Sequence, residues 1–132
     1  MARILIIDDD VQFLKMLRQM LEREGYEVVE ALDGRVGIRL FRELRTELVI
    51  TDIFMPEKEG IETTLELKRE FPGVPIIIMS GGGRAYDFRY LDMAREFGAD
   101  RAFIKPFERQ ELLAAIQELL DEREAPDRRQ SF

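Results

Sequence analysis

Ile4-Leu5-Ile6-Ile7-Asp8-Asp9-Asp10 carries an unbroken aliphatic run straight into three carboxylates. Successive strand residues point to opposite faces, so four aliphatic residues in a row describe a strand covered on both sides, the condition inside a parallel sheet. The pattern recurs: Leu48-Val49-Ile50-Thr51 ends at Asp52, Pro75 to Met79 ends at Ser80, and Ala102-Phe103-Ile104 ends at Lys105-Pro106. Tyr26 to Ala31 is a fifth, more mixed segment. Each polar group closes an apolar run.

Helical patterns alternate with these strands. Val11, Leu14, Leu17 and Leu21 recur at helical spacing, widened by Phe13, Met16 and Met20, and Gly25 is placed to end that helix near Glu24. Weaker helices are predicted over Arg35–Leu44, Ile61–Phe71 (stopped by Pro72-Gly73) and Asp87–Phe97 (ended by Gly98). The last, Glu108–Arg123, lines up Leu112, Leu113, Ile116, Leu119 and Leu120. Five such alternations predict an α/β fold with a parallel sheet wrapped on both faces. Residues 1–123 are read as one domain. Residues 124–132, charged and containing Pro126, are expected to be a frayed, disordered tail.

Composition narrows the function. The 132 residues are 45% apolar, enough for one sizeable core, and carry 27 acidic against 20 basic side chains for a net charge of -7. That balance argues against general binding to nucleic acid or to anionic membranes. Without cysteine there is no disulfide or thiolate site; without histidine there is no imidazole zinc site, Ser/His pair or phosphohistidine carrier. No apolar run approaches a membrane span, and Met1-Ala2-Arg3 leads into a strand rather than a signal peptide, so a cytoplasmic location is expected.

In an open parallel sheet, ligands bind beyond the carboxyl ends of the strands. Asp8, Asp9, Asp52, Ser80 and Lys105 would all meet there. Clustered carboxylates repel unless a cation neutralises them, and Mg2+, with about six oxygen ligands including water and phosphate, suits such a set. A cation beside Asp52 and the Lys105 ammonium would both offset charge on a transferring phosphoryl group, which makes Asp52 the candidate nucleophile. The competing reading of an Asp run at a strand end is a helix cap, and that role falls to Asp10. Taken alone, Lys105 would more often be a solvated strand end, and the Ser80 hydroxyl a group that satisfies the following turn.

Taken in order and spacing, the segments Ile4 to Asp10, Gly25-Tyr26-Glu27-Val28, Ala31-Leu32-Asp33-Gly34, Thr51 to Pro56 with Gly60, Met79-Ser80-Gly81, Gly98-Ala99-Asp100 and Lys105-Pro106-Phe107 resemble a response regulator receiver domain. Receivers are the phosphoaccepting half of two-component signalling. The likeness covers about Arg3 to Leu120 and is to the single-domain chemotaxis or sporulation type. It implies a flavodoxin-like (βα)5 fold with strand order 2-1-3-4-5 and a cis Lys105–Pro106 bond. It further implies that Asp8, Asp9, Asp52 and the Phe54 carbonyl hold Mg2+, with Mn2+ as a substitute. Asp52 would accept phosphate from a histidine kinase or phosphotransfer protein, with Ser80 and Lys105 contacting it. The implied function is a phosphorelay switch that alters binding to a downstream protein as a monomer or phosphorylation-dependent dimer. Enzymatic activity would be limited to self-phosphorylation and self-dephosphorylation. The alternatives are a receiver-like interaction module that is not phosphorylated, and the receiver portion of a larger DNA-binding regulator. An aspartate-nucleophile phosphatase would want a second acid where Phe54 stands.

Two departures from the family pattern concern signalling. Ala102 occupies the place of the Tyr or Phe that usually answers the phosphate, and strand alternation turns Phe103 to the other face. Gly81-Gly82-Gly83 opens a long segment before Gly98. One reading has this segment mobile and ordered by phosphorylation, with one of its aromatics filling the space beside Ala102; the other is a surface loop without signalling consequence. Phe54 is expected to restrict attacking water and prolong the phosphoryl bond.

Overall fold

A computed structural model describes residues 2–53, 60–81, 92 and 95–130, with 124–130 as backbone only. Five strands, β1 (Arg3–Ile7), β2 (Glu27–Ala31), β3 (Leu48–Asp52), β4 (Ile76–Ser80) and β5 (Arg101–Ile104), form one parallel sheet in the order β2-β1-β3-β4-β5. Among the described residues four helices connect or follow them: α1 (Val11–Arg23), α2 (Gly34–Leu44), α3 (Gly60–Glu70) and α4 (Arg109–Gln130).

Strand alternation divides the core in two. Ile4, Ile6, Leu48, Ile50, Ile77 and Met79 pack with Leu14, Leu17 and Leu21 of α1 and Leu112, Ile116 and Leu119 of α4. Leu5, Ile7, Val49, Ile76 and Ile78 pack on the opposite side with Ile38 and Phe41 of α2 and Leu67 of α3. This two-sided burial is why the strands read as continuous aliphatic runs.

The helix starts are fixed by side chains. Asp10 accepts from the backbone N–H groups of Gln12 (3.0 Å) and Phe13 (3.2 Å), and Asp33 accepts from Val36 N–H (2.9 Å), each satisfying donors the first helical turn leaves free. Tyr26, expected in β2, lies outside it because its N–H closes the end of α1 on the Leu21 carbonyl at 3.2 Å. Pro75, expected to open β4, lies outside it; lacking an N–H, it contributes only its carbonyl, to Val49 N–H at 3.0 Å. The backbone of α4 stays helical to Gln130, beyond the Arg123 boundary where the sequence reading expects a disordered tail. Glu124, Ala125, Arg128 and Arg129 are good helix formers and favour continuation, against the lost backbone donor of Pro126. The predicted helix over Asp87–Phe97 falls largely outside the described residues; of it, Asp92, Arg95 and Glu96 are helical.

α3 begins against the end of β3. Gly60 N–H donates to the Ile53 carbonyl at 2.9 Å, and a methyl group at Gly60 would overlap the Asp52 carbonyl oxygen and lie 2.8 Å from Ile53 Cα. Both obstacles are backbone and cannot swing aside. Gly60→Ala is therefore expected to destabilise the protein by about 2–3 kcal/mol, the usual cost of overpacking a closed site, measured as a lowered urea midpoint with an unchanged slope.

Candidate functional site

Backbone ladders that continue past the strand ends bring the polar residues to one edge of the sheet. Asp8 N–H donates to the Ala31 carbonyl (3.1 Å), Ile53 N–H to Met79 (2.8 Å) and Lys105 N–H to Ser80 (2.7 Å). Asp8, Asp52 and Lys105 thus follow from register, not from loop placement. The Lys105–Pro106 peptide is cis.

The carboxylates of Asp8, Asp9 and Asp52 have oxygens within 4.8 Å of one another. Asp8 is buried: one oxygen accepts from Asp10 N–H at 2.9 Å and the other from the Lys105 ammonium at 2.8 Å. Lys105 Nζ also lies 3.3 Å from Asp52 Oδ1, whose side chain is 12% exposed. Asp9 opens to solvent. Burial pushes the Asp52 carboxyl up to about 6, Asp8 and Asp9 add to that rise, and Lys105 opposes it. Burial by itself would pull the Lys105 ammonium down, but the hydrogen bond to Asp8 and the charges of Asp52 and Asp8 outweigh it and raise its pKa. Among the described residues the cluster is an anion-rich niche of three carboxylates with Lys105 as its counterion.

Two further observations bear on what the niche accepts. Ser80 is fully buried, and its hydroxyl has no hydrogen-bond partner among the described residues, an unmet capacity that a ligand oxygen would fill. The three carboxylates supply hard oxygen ligands suited to Mg2+ or Mn2+. The expected Phe54 carbonyl lies outside the described residues, as do Gly82, Gly83 and the aromatics of the segment that follows. Gly81 is exposed. Ala102 packs with the α2/α3 side of the core while Phe103 packs with the α1/α4 side, so the two face opposite ways.

Sequence reading did not single out Gly60 or Phe13 for the site. Phe13 entered only as part of an apolar stripe, yet Lys105 Nζ stands 3.8 Å above its ring centre. Its position one turn after the Asp10 cap, beside the strand end, is the signal that marks it.

A family model for the response regulator receiver domain matches residues 4–117. The transcriptional regulatory protein CpxR of Escherichia coli K12 is 37% identical over 120 residues, spanning 91% of this chain and 50% of that protein. A CpxR homolog of Haemophilus influenzae is 35% identical over 126 residues, spanning 96% and 53% respectively. Among solved structures, a receiver domain protein from Clostridium thermocellum superposes with a TM-score of 0.88 at 32% identity, covering 94% of this chain and 98% of that one. A CheY-like receiver from Methanospirillum hungatei gives 0.84 at 34% identity, covering 94% and 97%. The fold is that of signalling receiver domains. This chain belongs to the response regulator receiver family of two-component systems and spans about half the length of the curated relatives it matches. No helix among the described residues is long and apolar enough to cross a membrane.

The Asp52 shift has a consequence for stability. Because its folded pKa of about 6 exceeds the ordinary 3.8, the folded state holds the extra proton between those values, and stability falls as pH rises through that window. Asp52→Asn removes the buried charge and should stabilise the metal-free protein at pH 7.5 by on the order of 2 kcal/mol. Urea unfolding in EDTA should show the gain shrinking as pH is lowered toward 4.5; a gain independent of pH contradicts the assignment.

Proposed function

We propose that the domain is a phosphoacceptor switch in which Asp52 takes a phosphoryl group from a phosphohistidine on a histidine kinase or phosphotransfer protein. The supporting observation is the convergence of Asp8, Asp9 and Asp52 with Lys105, whose backbone N–H donates to the carbonyl of Ser80, a buried residue with a hydroxyl unpartnered among the described residues. One Asp52 oxygen attacks phosphorus as the P–N bond to the donor imidazole breaks. The imidazole nitrogen leaves with the bonding pair and is protonated from solvent, and Asp52 becomes an acyl phosphate. Asp52 is ionised at neutral pH, as a nucleophile must be. Lys105 turns from the carboxylates to the phosphoryl oxygens, and Ser80 donates its hydroxyl to one of them. Mg2+, or Mn2+ in its place, would be held by Asp8, Asp9, Asp52 and the Phe54 carbonyl and would neutralise charge on the transferring group.

The output is a change of affinity for a downstream protein, as a monomer or as a phosphorylation-dependent dimer. The chemistry is that of self-phosphorylation and self-dephosphorylation, with no other substrate, and the setting is cytoplasmic. Residues 1–123 act as the receiver and 124–132 as tail or linker. The names and length of the relatives favour one further reading, in which this receiver is part of a longer transcriptional regulator whose DNA contacts lie outside these residues.

Incubation with acetyl phosphate and Mg2+ should add about 80 Da, the mass of one phosphoryl group, to the intact protein. Asp52→Asn or excess EDTA should abolish the adduct. An adduct of full yield on Asp52→Asn contradicts the proposal.

A further inference from the structure

Lys105 has a partner that is not an acid. Its ammonium is 2.8 Å from Asp8 Oδ2, 3.3 Å from Asp52 Oδ1 and 3.8 Å from the centre of the Phe13 ring. A cation over an aromatic face is attracted by the ring's negative quadrupole, and the attraction grows where water is excluded. Phe13 is half-buried at the edge of α1, and only 19% of the Lys105 side chain is exposed.

The ring is itself held. Phe107 stands nearly perpendicular to Phe13, with centres 6.2 Å apart and planes at 87°, and Phe103 meets Phe107 edge-on at the same separation. Phe107 lies two residues beyond Lys105, so the segment that carries the ammonium also carries the ring that orients its aromatic seat. Such edge-to-face contacts are directional as well as apolar.

We propose that Phe13 is the positioning residue for Lys105, holding the ammonium at the phosphoryl site while its carboxylate partners change. This rests on the phosphoacceptor reading. Both carboxylate contacts are conditional: Asp52 loses a free oxygen when it is phosphorylated, and Asp8 must share its oxygens with a cation. The ring carries no titrating group and exchanges with neither. It keeps the lysine head at one place as the hydrogen bonds pass from carboxylate to phosphoryl oxygens. An aliphatic residue would fill the same space without attracting the charge.

The test compares wild type with Phe13→Leu, Phe13→Tyr and a series in which only Phe13 is replaced by phenylalanines of increasing fluorination. In the metal-free protein, the Lys105 Cε protons should be shifted upfield by the ring in wild type and Phe13→Tyr and should lose that shift in Phe13→Leu. At saturating acetyl phosphate and Mg2+, the phosphorylation rate should fall roughly 3- to 10-fold in Phe13→Leu, stay near wild type in Phe13→Tyr, and drop stepwise with ring fluorines, with the donor concentration at half rate unchanged. The fluorinated rings keep the packing, so their trend reports on the charge contact even if Phe13→Leu folds poorly. A rate indifferent to fluorination, or an unshifted Lys105 in wild type, overturns the role of Phe13. Absence of any adduct on wild type overturns instead the phosphoacceptor reading on which it rests.

Discussion

Asp8 and Asp52 close two neighbouring buried strands, and one ammonium, that of Lys105, holds their like charges together at 2.8 and 3.3 Å. A buried carboxylate without a counterion costs several kcal/mol, which is the penalty the Lys105 ammonium offsets at this edge. The three groups come from three strands far apart in sequence, and each is positioned by a ladder hydrogen bond at or next to it, so the sheet register and the charge cluster depend on each other. Burial and the neighbouring acids push Asp52 up to about 6 despite the opposing charge of Lys105.

The remaining structure serves this edge. The two apolar layers fix the strand ends within a fraction of a residue, because a slip of one would turn every aliphatic side chain to the wrong face. Gly60 lets α3 start against the Asp52 backbone, and Asp10 gives up its carboxylate to cap α1 so that Asp8 and Asp9 are left for the site. Position 102 is alanine, and Phe103 beside it packs into the opposite core layer. Among the described residues, the aromatic contacts next to Lys105 lie on the α1/α4 side, in the Phe13–Phe107–Phe103 contacts.

Much of this was legible from Ile4 to Asp10 onward. Aliphatic runs ending in Asp8, Asp52, Ser80 and Lys105 name both the parallel sheet and the edge where its chemistry gathers, since the alternation of strands and helices brings all their carboxyl ends together. Asp10 as a cap was legible too, from one residue's distance to the helical pattern. Boundaries were less so. Tyr26 and Pro75 read as strand by composition, but Tyr26 spends its N–H on the α1 terminus and Pro75 has none to offer. The end of α4 depended on helix propensity beyond the last buried leucine, where no burial pattern marks a limit.

By itself the sequence determined the class of fold, the order of its elements and the set of polar residues at the functional edge, because those follow from periodicity and from which residue ends each strand. Only the tertiary structure decided how those residues share charge: that Lys105 bridges Asp8 and Asp52, that the Ser80 hydroxyl is buried without a partner among the described residues, and that Phe13 lies under the ammonium. Pairing across 97 residues of chain, as between Asp8 and Lys105, leaves no local signature. It exists only once the sheet has set the register.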